Sequence, residues 1–109
     1  IKVNPTAVRV PVLVGHAESI YIETKKDINI DIAKEVLRKF NGIKLIDDTE
    51  SIDFPTPFEH GHGTDDVYVG RIRKGLDKNN TLNLWVVADN VRKGAALNSI
   101  QIAEYLTRS

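Results

Sequence analysis

Two residues near the start of the chain, Arg9 and His16, have side chains that could carry chemistry. Arg9 interrupts a valine-rich stretch, and a guanidinium buried there without an anionic partner is costly. Arg9 therefore either faces water or binds an anion. His16 follows Gly15 directly, and an imidazole can accept and return a proton near neutral pH. Taken alone, such a histidine is more often an ordinary exposed or hydrogen-bonded residue.

The spacing of Arg9 and His16 bears on whether one site can contain both. They are seven positions apart, and in a regular strand an odd spacing directs two side chains to opposite faces. Pro11 or Gly15 could absorb the odd residue through a β-bulge. We therefore predict a distorted backbone that lets Arg9 and His16 face one cavity.

His60 and His62, with Glu59 and Asp65 nearby, superficially resemble metal ligands. They lie in one glycine-rich loop without a second cluster of ligands, so we predict no metal site there.

Composition limits the function classes. Fifteen basic residues balance fifteen acidic ones, so net charge gives no reason to expect a nucleic acid or an anionic membrane as partner. The chain has no cysteine, which excludes a disulfide, a thiolate metal site and a cysteine nucleophile within these residues. No apolar run approaches the ~20 residues of a membrane span, and we expect a cytoplasmic protein. Because the chain starts with Ile1, we also expect a piece of a longer protein.

Hydrophobic periodicity predicts the elements that position these residues. Period-two or apolar runs predict strands at residues 6–14, 18–25, 43–46, 67–74 and 81–89. Helical spacing predicts helices at 29–42, capped by Asn29, and at 91–106, capped by Asp89 or Asn90. The residues between 47 and 66 are predicted to be extended or looping.

These elements favour an α+β fold with a mixed or antiparallel sheet and helices on one face. The two strands at 67–74 and 81–89 are joined by turn residues and predict an antiparallel hairpin. Gly94 lies inside the last helix, where glycine costs about 1 kcal/mol relative to alanine. Tight packing or a ligand near that backbone would account for it.

Three segments together resemble aspartate-semialdehyde dehydrogenase: VRVPVLVGHAES at 8–19, FPTPFEHGHGTDDVYVGRIRK at 54–74 and TLNLWVVADNVRKGAALNSIQIAE at 81–104. The resemblance covers nearly the whole chain and corresponds to the last third of that enzyme. It implies a fragment of a glyceraldehyde-3-phosphate dehydrogenase-like catalytic domain. Residues 1–89 would be the C-terminal part of the catalytic and dimerisation domain. Residues 90–109 would form a terminal helix that packs on an NADP-binding domain outside this chain.

The resemblance also implies a reaction and roles for matching residues. The family interconverts L-aspartate 4-semialdehyde plus phosphate and L-4-aspartyl phosphate with NADP, as a homodimer, in lysine, threonine and methionine biosynthesis. Arg9 matches the arginine that binds the substrate α-carboxylate, His16 matches the acid/base histidine, and Asn90 matches a position that contacts the nicotinamide cofactor. Two alternatives remain: a related N-acetylglutamyl-phosphate reductase, or a non-catalytic dimerisation module.

The isolated 109-residue chain is predicted to have negligible dehydrogenase turnover, because the family's reaction begins with a cysteine nucleophile and this chain has none. NADPH formation from the semialdehyde, measured by absorbance with the purified chain, checks this. Turnover above the buffer rate would contradict the assignment.

Overall fold

The fold is described by a computed structural model that covers residues 1–47, 50 and 53–108. Its framework is a sheet of four strands, which are β1 (His16–Glu23), β2 (Ile43–Leu45), β3 (Val67–Lys74) and β4 (Thr81–Ala88). The helices are α1 (Ile30–Lys39), α2 (Pro57–His60) and α3 (Leu97–Thr107), with a π-helical turn (Arg92–Ala96) before α3. None of the helices in this described part is long and apolar enough to span a membrane.

The sheet is mixed, in the spatial order β1-β4-β3-β2. β4 pairs antiparallel with both β1 and β3, whereas β2 pairs parallel with β3. The segment that joins the parallel strands β2 and β3 contains α2, because parallel neighbours need a crossover connection and cannot be joined by a tight hairpin. The predicted α+β class and the predicted hairpin of β3 and β4 are confirmed.

One face of the sheet carries the main hydrophobic core, because apolar residues occupy alternate positions of the central strands. Val69, Ile72 and Leu82 are buried there, and Leu37, Ile43, Leu45, Leu84 and Val86 pack against them. Leu37 belongs to α1, whose first turn is capped by the Asn29 side chain, as predicted: its oxygen accepts hydrogen bonds from the backbone N–H groups of Asp31 and Ile32. The helix was predicted to end at Gly42, but it ends at Lys39 with Phe40 as its C-cap, and residues 40–42 form the turn into β2, where Gly42 has φ +84°.

The opposite face is covered at one end by the segment that contains α2. The Trp85 indole donates a hydrogen bond to the Pro55 carbonyl oxygen at 2.8 Å, and Val87 beneath this segment is fully buried. α2 is a single turn inside the region predicted to be irregular. The sequence does contain a signal for this helix: a threonine followed by proline and, three residues on, by glutamate. In the structure Pro57 begins the helix and the Thr56 hydroxyl accepts a hydrogen bond from the Glu59 N–H. Positions 48, 49, 51 and 52 of that region lie outside the described residues.

The prediction of a strand at residues 6–14 is wrong. These residues lie outside any strand of the described sheet, and all but the half-buried Val14 are exposed. A strand requires a partner for its backbone groups, and residues 6–14 pair with none of the described strands. Pro11 has no amide hydrogen to contribute, and the Val12 N–H instead donates to the Val10 carbonyl oxygen in a tight local turn. Residues with strand-like composition therefore form an irregular segment before β1 that pairs with none of the described strands.

A β-bulge interrupts β3 between Gly70 and Arg73. Arg71 has φ +55°, which is unusual for a non-glycine residue. The Ile72 N–H donates to the Asp47 carboxylate at 3.2 Å, so a side chain replaces a strand partner there.

The C-terminal helix begins differently from the prediction. The Gly94 N–H donates to the Asp89 carbonyl and the Ala96 N–H to the Val91 carbonyl, which are five-residue steps of a π-helical turn. A Cβ at Gly94 would lie 3.5 Å from the nearest atom, the Asp89 oxygen, which is ordinary contact. Nothing in the described chain therefore requires glycine at this position.

Replacing Gly70 with alanine is predicted to destabilise the protein by about 3 kcal/mol, as expected for overpacking against rigid groups. The new Cβ would lie 2.1 Å from the Ile46 carbonyl oxygen and 2.6 Å from Pro55 Cδ. Chemical unfolding of the full-length protein measures the loss. The matched control is Gly42→Ala, which has a positive φ but open space around the Cβ, and should cost only about 1–2 kcal/mol. Equal losses in the two variants would contradict the proposed clash.

Candidate functional site

His16 is the first residue of β1 and pairs with Ala88, the last residue of β4. Because the strands are antiparallel, the start of β1 lies beside the turn that follows β4. That turn contains Asp89 and Asn90. Two of the three predicted site residues, His16 and Asn90, therefore lie at the same end of the sheet.

Asn90 is hydrogen-bonded to the residue that precedes His16. Its side-chain Oδ1 accepts from the Gly15 N–H at 3.3 Å. Gly15 has φ +100°, and a Cβ there would lie 3.0 Å from the carbonyl oxygens of Pro57 and Gly61. Glycine is thus required both by the backbone conformation and by the close approach of α2. The β-bulge predicted at Pro11 or Gly15 is not formed, since neither residue lies in a strand, but the left-handed conformation of Gly15 fixes the direction in which the chain enters β1.

Asp89 is the buried polar group of this turn, with 3% of its surface exposed. One carboxylate oxygen accepts from the N–H groups of Val91 and Arg92, and the other accepts from the Gly63 N–H at 2.8 Å. The hydrogen bonds from Arg92 and Gly63 lower the pKa of Asp89 below its usual value, against the opposing effect of burial. Asp89 therefore binds the backbone N–H groups at the start of the π-helical turn, although the cap residue of that turn is Val91 rather than the predicted Asp89 or Asn90. It also holds the loop around Gly63, which sequence reasoning missed.

The imidazole of His16 is paired with a residue that sequence reasoning did not select. His16 Nε2 lies 2.7 Å from the Glu18 carboxylate, and the two side chains are 55% and 51% exposed. They are two positions apart on one strand and therefore share a face. That face also carries Val86, which lies opposite Glu18 in β4. The signal that could have revealed the pair is the period-two spacing of a carboxylate and an imidazole.

Arg9 lies in the exposed segment before β1. Within the described residues its guanidinium makes no hydrogen bond or ion pair with His16 or with any other group. The objection from strand alternation no longer applies, since the backbone between Arg9 and His16 is not a regular strand. That both side chains face one cavity stays a prediction.

His60, one of the two histidines of the 59–65 loop, has local partners. His60 Nδ1 accepts from the Thr56 N–H at 3.2 Å, and its ring lies 5.0 Å from the Tyr68 ring centroid. Within residues 1–47, 50 and 53–108, no group of three or more histidine, aspartate or glutamate side chains is arranged to hold a metal ion. Asp65 pairs instead with Arg92 at 2.6 Å on the surface.

The sequence and the mixed sheet match a known class of domain. Residues 1–93 match the family described as semialdehyde dehydrogenase, dimerisation domain, and the chain belongs to this family. Its relatives include aspartate-semialdehyde dehydrogenases from Legionella pneumophila, 50% identical over 99% of this chain, and Shewanella violacea, 54% identical over 99%. The chain spans 31% of the length of each.

Solved structures agree with this assignment. Aspartate semialdehyde dehydrogenase II from Vibrio cholerae, complexed with ASA, superposes with a TM-score of 0.88 at 48% identity, covering 97% of this chain and 31% of that one. A probable aspartate-semialdehyde dehydrogenase from Pseudomonas aeruginosa superposes with a TM-score of 0.79 at 36% identity, covering 89% of this chain and 28% of that one. The resemblance inferred from sequence is confirmed, as is its place in the C-terminal part of the relatives' fold.

Asp89 is predicted to make stability depend on acid. Its folded pKa lies below the usual 3.8, so its stabilisation is complete above about pH 3.8 and is lost as the pH falls through the folded pKa. Asp89→Asn should therefore melt at a lower temperature than wild type at neutral pH, and the difference should shrink in acid. Thermal melts of the full-length protein from neutral pH to about pH 3 measure this.

The control for that series is Asp65→Asn, which removes an exposed ion pair and should change the melting temperature little. A wild-type minus Asp89→Asn difference that stays constant across the pH range would contradict the assigned role of the charge.

Proposed function

We propose that the full-length protein containing this chain is an aspartate-semialdehyde dehydrogenase, which interconverts L-aspartate 4-semialdehyde plus phosphate and L-4-aspartyl phosphate with NADP. It would act in the cytoplasmic biosynthesis of lysine, threonine and methionine. The observation that supports this most directly is the position of His16, half exposed at a strand end and next to the turn that contains Asn90. The names of the relatives favour this substrate over the N-acetylglutamyl phosphate alternative.

His16 is proposed to be the acid/base. Its ring is accessible from solvent, and its backbone is fixed by pairing with β4 and by the hydrogen bond to Gly15. A base on a rigid strand can take the proton of a reacting thiol or hemithioacetal and return it in a later step. The reacting thiol would come from a part of the protein outside this chain, since these residues contain no cysteine.

Arg9 is proposed to bind the substrate α-carboxylate. The guanidinium is exposed and unpaired among the described residues, so it can meet a carboxylate without first breaking an ion pair. Its planar fork allows two parallel hydrogen bonds to one carboxylate, which fixes the orientation of the substrate as well as its charge.

Asn90 is proposed to contact the nicotinamide end of NADP. Its Oδ1 is engaged by the Gly15 N–H, which leaves the two Nδ2 hydrogens as donors for an amide carbonyl. These donors fit the carboxamide of a nicotinamide ring. The glycine-rich fingerprint that binds a dinucleotide is absent from this chain, so the rest of the cofactor would be held elsewhere in the full-length protein. When bound, NADP supplies the hydride acceptor. Asn90 would thus link the cofactor to the backbone that positions His16.

Two larger contacts are also proposed. Residues 90–109 would pack on the NADP-binding domain, because no residue of α3 is buried and Ile100, Tyr105 and Leu106 are each more than half exposed. The full-length protein would be a homodimer, as the description of the matching family as a dimerisation domain suggests.

Substitutions at His16 and Arg9 are predicted to affect different kinetic constants of the full-length enzyme. His16→Gln should lower kcat by roughly 10²–10⁴-fold with little change in KM, because a general acid/base acts in the chemical step. Arg9→Lys keeps the charge but loses the bidentate geometry, so it should chiefly raise the KM for the semialdehyde. Initial rates against semialdehyde and phosphate concentration measure both effects. Wild-type kcat in His16→Gln would contradict the proposal.

A further inference from the structure

We propose that Glu18 is a positioning residue for His16, whose carboxylate holds the imidazole at Nε2 so that Nδ1 takes and returns the proton. This inference rests on the proposed role of His16 as the acid/base, and it adds a residue and a specific ring nitrogen to that role. The observation behind it is the 2.7 Å contact between His16 Nε2 and Glu18 Oε1.

The strand makes this pairing a rigid one. All eight residues of β1, from His16 to Glu23, are in register with β4. His16 and Glu18 therefore project from the same face of a paired strand, and the distance between them does not depend on a loop. The site lies at the end of β1 where Asn90 also fixes Gly15. A catalytic group held on a strand with a second side chain locking its ring is better oriented than one on a loop.

The chemistry of the two groups determines which nitrogen is available. An ionised carboxylate only accepts hydrogen bonds, so the Nε2 facing Glu18 must carry a hydrogen. In the neutral ring Nδ1 is then unprotonated and can act as a base. When Nδ1 accepts a proton, the ring becomes an imidazolium whose Nε2 hydrogen still faces the Glu18 carboxylate, so the ring keeps its orientation. Returning the proton from Nδ1 restores the starting state, as it does where a carboxylate orients the histidine of a catalytic triad.

The exposure of the pair sets the size of the expected effect. Both side chains are about half exposed, so water competes for the hydrogen bond and the pair should add little to folding stability. The same strand offers a matched comparison in Glu23, which pairs with Lys78 at 2.8 Å with similar exposure. Glu23 lies at the opposite end of β1 from His16. Removing either carboxylate costs a surface ion pair, but only one of them touches His16.

The kinetic test uses the full-length protein with Glu18→Ala, Glu18→Gln and Glu23→Gln. Glu18→Ala should lower kcat roughly 10-fold, less than the loss of the base itself, while KM for the semialdehyde stays near the wild-type value. Glu18→Gln keeps an oxygen that can accept from Nε2 and should recover part of that loss. Glu23→Gln should keep wild-type kinetics. The proposal is overturned if Glu18→Ala and Glu23→Gln have the same kcat.

A second measurement determines which nitrogen of the His16 ring carries the hydrogen. In ¹⁵N spectra of the full-length protein at a pH where the ring is neutral, the His16 signals are assigned by their loss in His16→Gln. Wild type should show a protonated Nε2 and an unprotonated Nδ1, and Glu18→Ala should shift toward a mixture of tautomers. Identical ring signals in wild type and Glu18→Ala overturn the positioning role. Wild-type kcat in His16→Gln overturns the proposed function instead, so the two failures are distinguishable.

Discussion

The antiparallel pairing of β1 with β4 is the constraint on which the candidate site depends. Its register places His16 opposite Ala88, so the first residue of one strand meets the last residue of the other. A shift of one residue would turn His16 and Glu18 to the opposite face and move the apolar Ile20 and Ile22 with them. The same alternation that buries the core side of the sheet therefore also fixes the face on which the imidazole lies.

The turn after β4 fixes the backbone on either side of His16 through the side chains of two residues. Asp89 and Asn90 are adjacent, but their side chains hold different segments: Asp89 binds the Gly63 loop and the start of the last helix, and Asn90 binds Gly15. Asp89 remains charged although it is buried, since three backbone N–H groups replace water around its carboxylate. The hydrogen bonds that stabilise this turn are therefore also the ones that position the backbone around His16.

The sequence predicted those elements whose local pattern agreed with their tertiary partners. The alternation in 67–74 and 81–89 identified the central hairpin, and Asn29 identified the start of α1. The same type of pattern failed at 6–14, because β-branched composition cannot reveal whether a partner strand exists. The bulge at Arg71 was also invisible, since it depends on Asp47 accepting the freed Ile72 N–H from a distant part of the chain.

The candidate site residues differ in the same way. His16 and Asn90 could be selected from sequence, whereas the contact of His16 with Glu18 requires knowledge that both belong to one strand. His16, Glu18 and Arg9 are all exposed. An ion pair at 4 Å is worth about 1 kcal/mol in water but about 4 kcal/mol at an effective dielectric constant near 20. Selective binding of a carboxylate and directed proton transfer therefore require other protein surfaces to exclude water from this face. The chain spans 31% of the relatives it matches, and the exposed apolar residues of α3 offer a place where such a surface could pack.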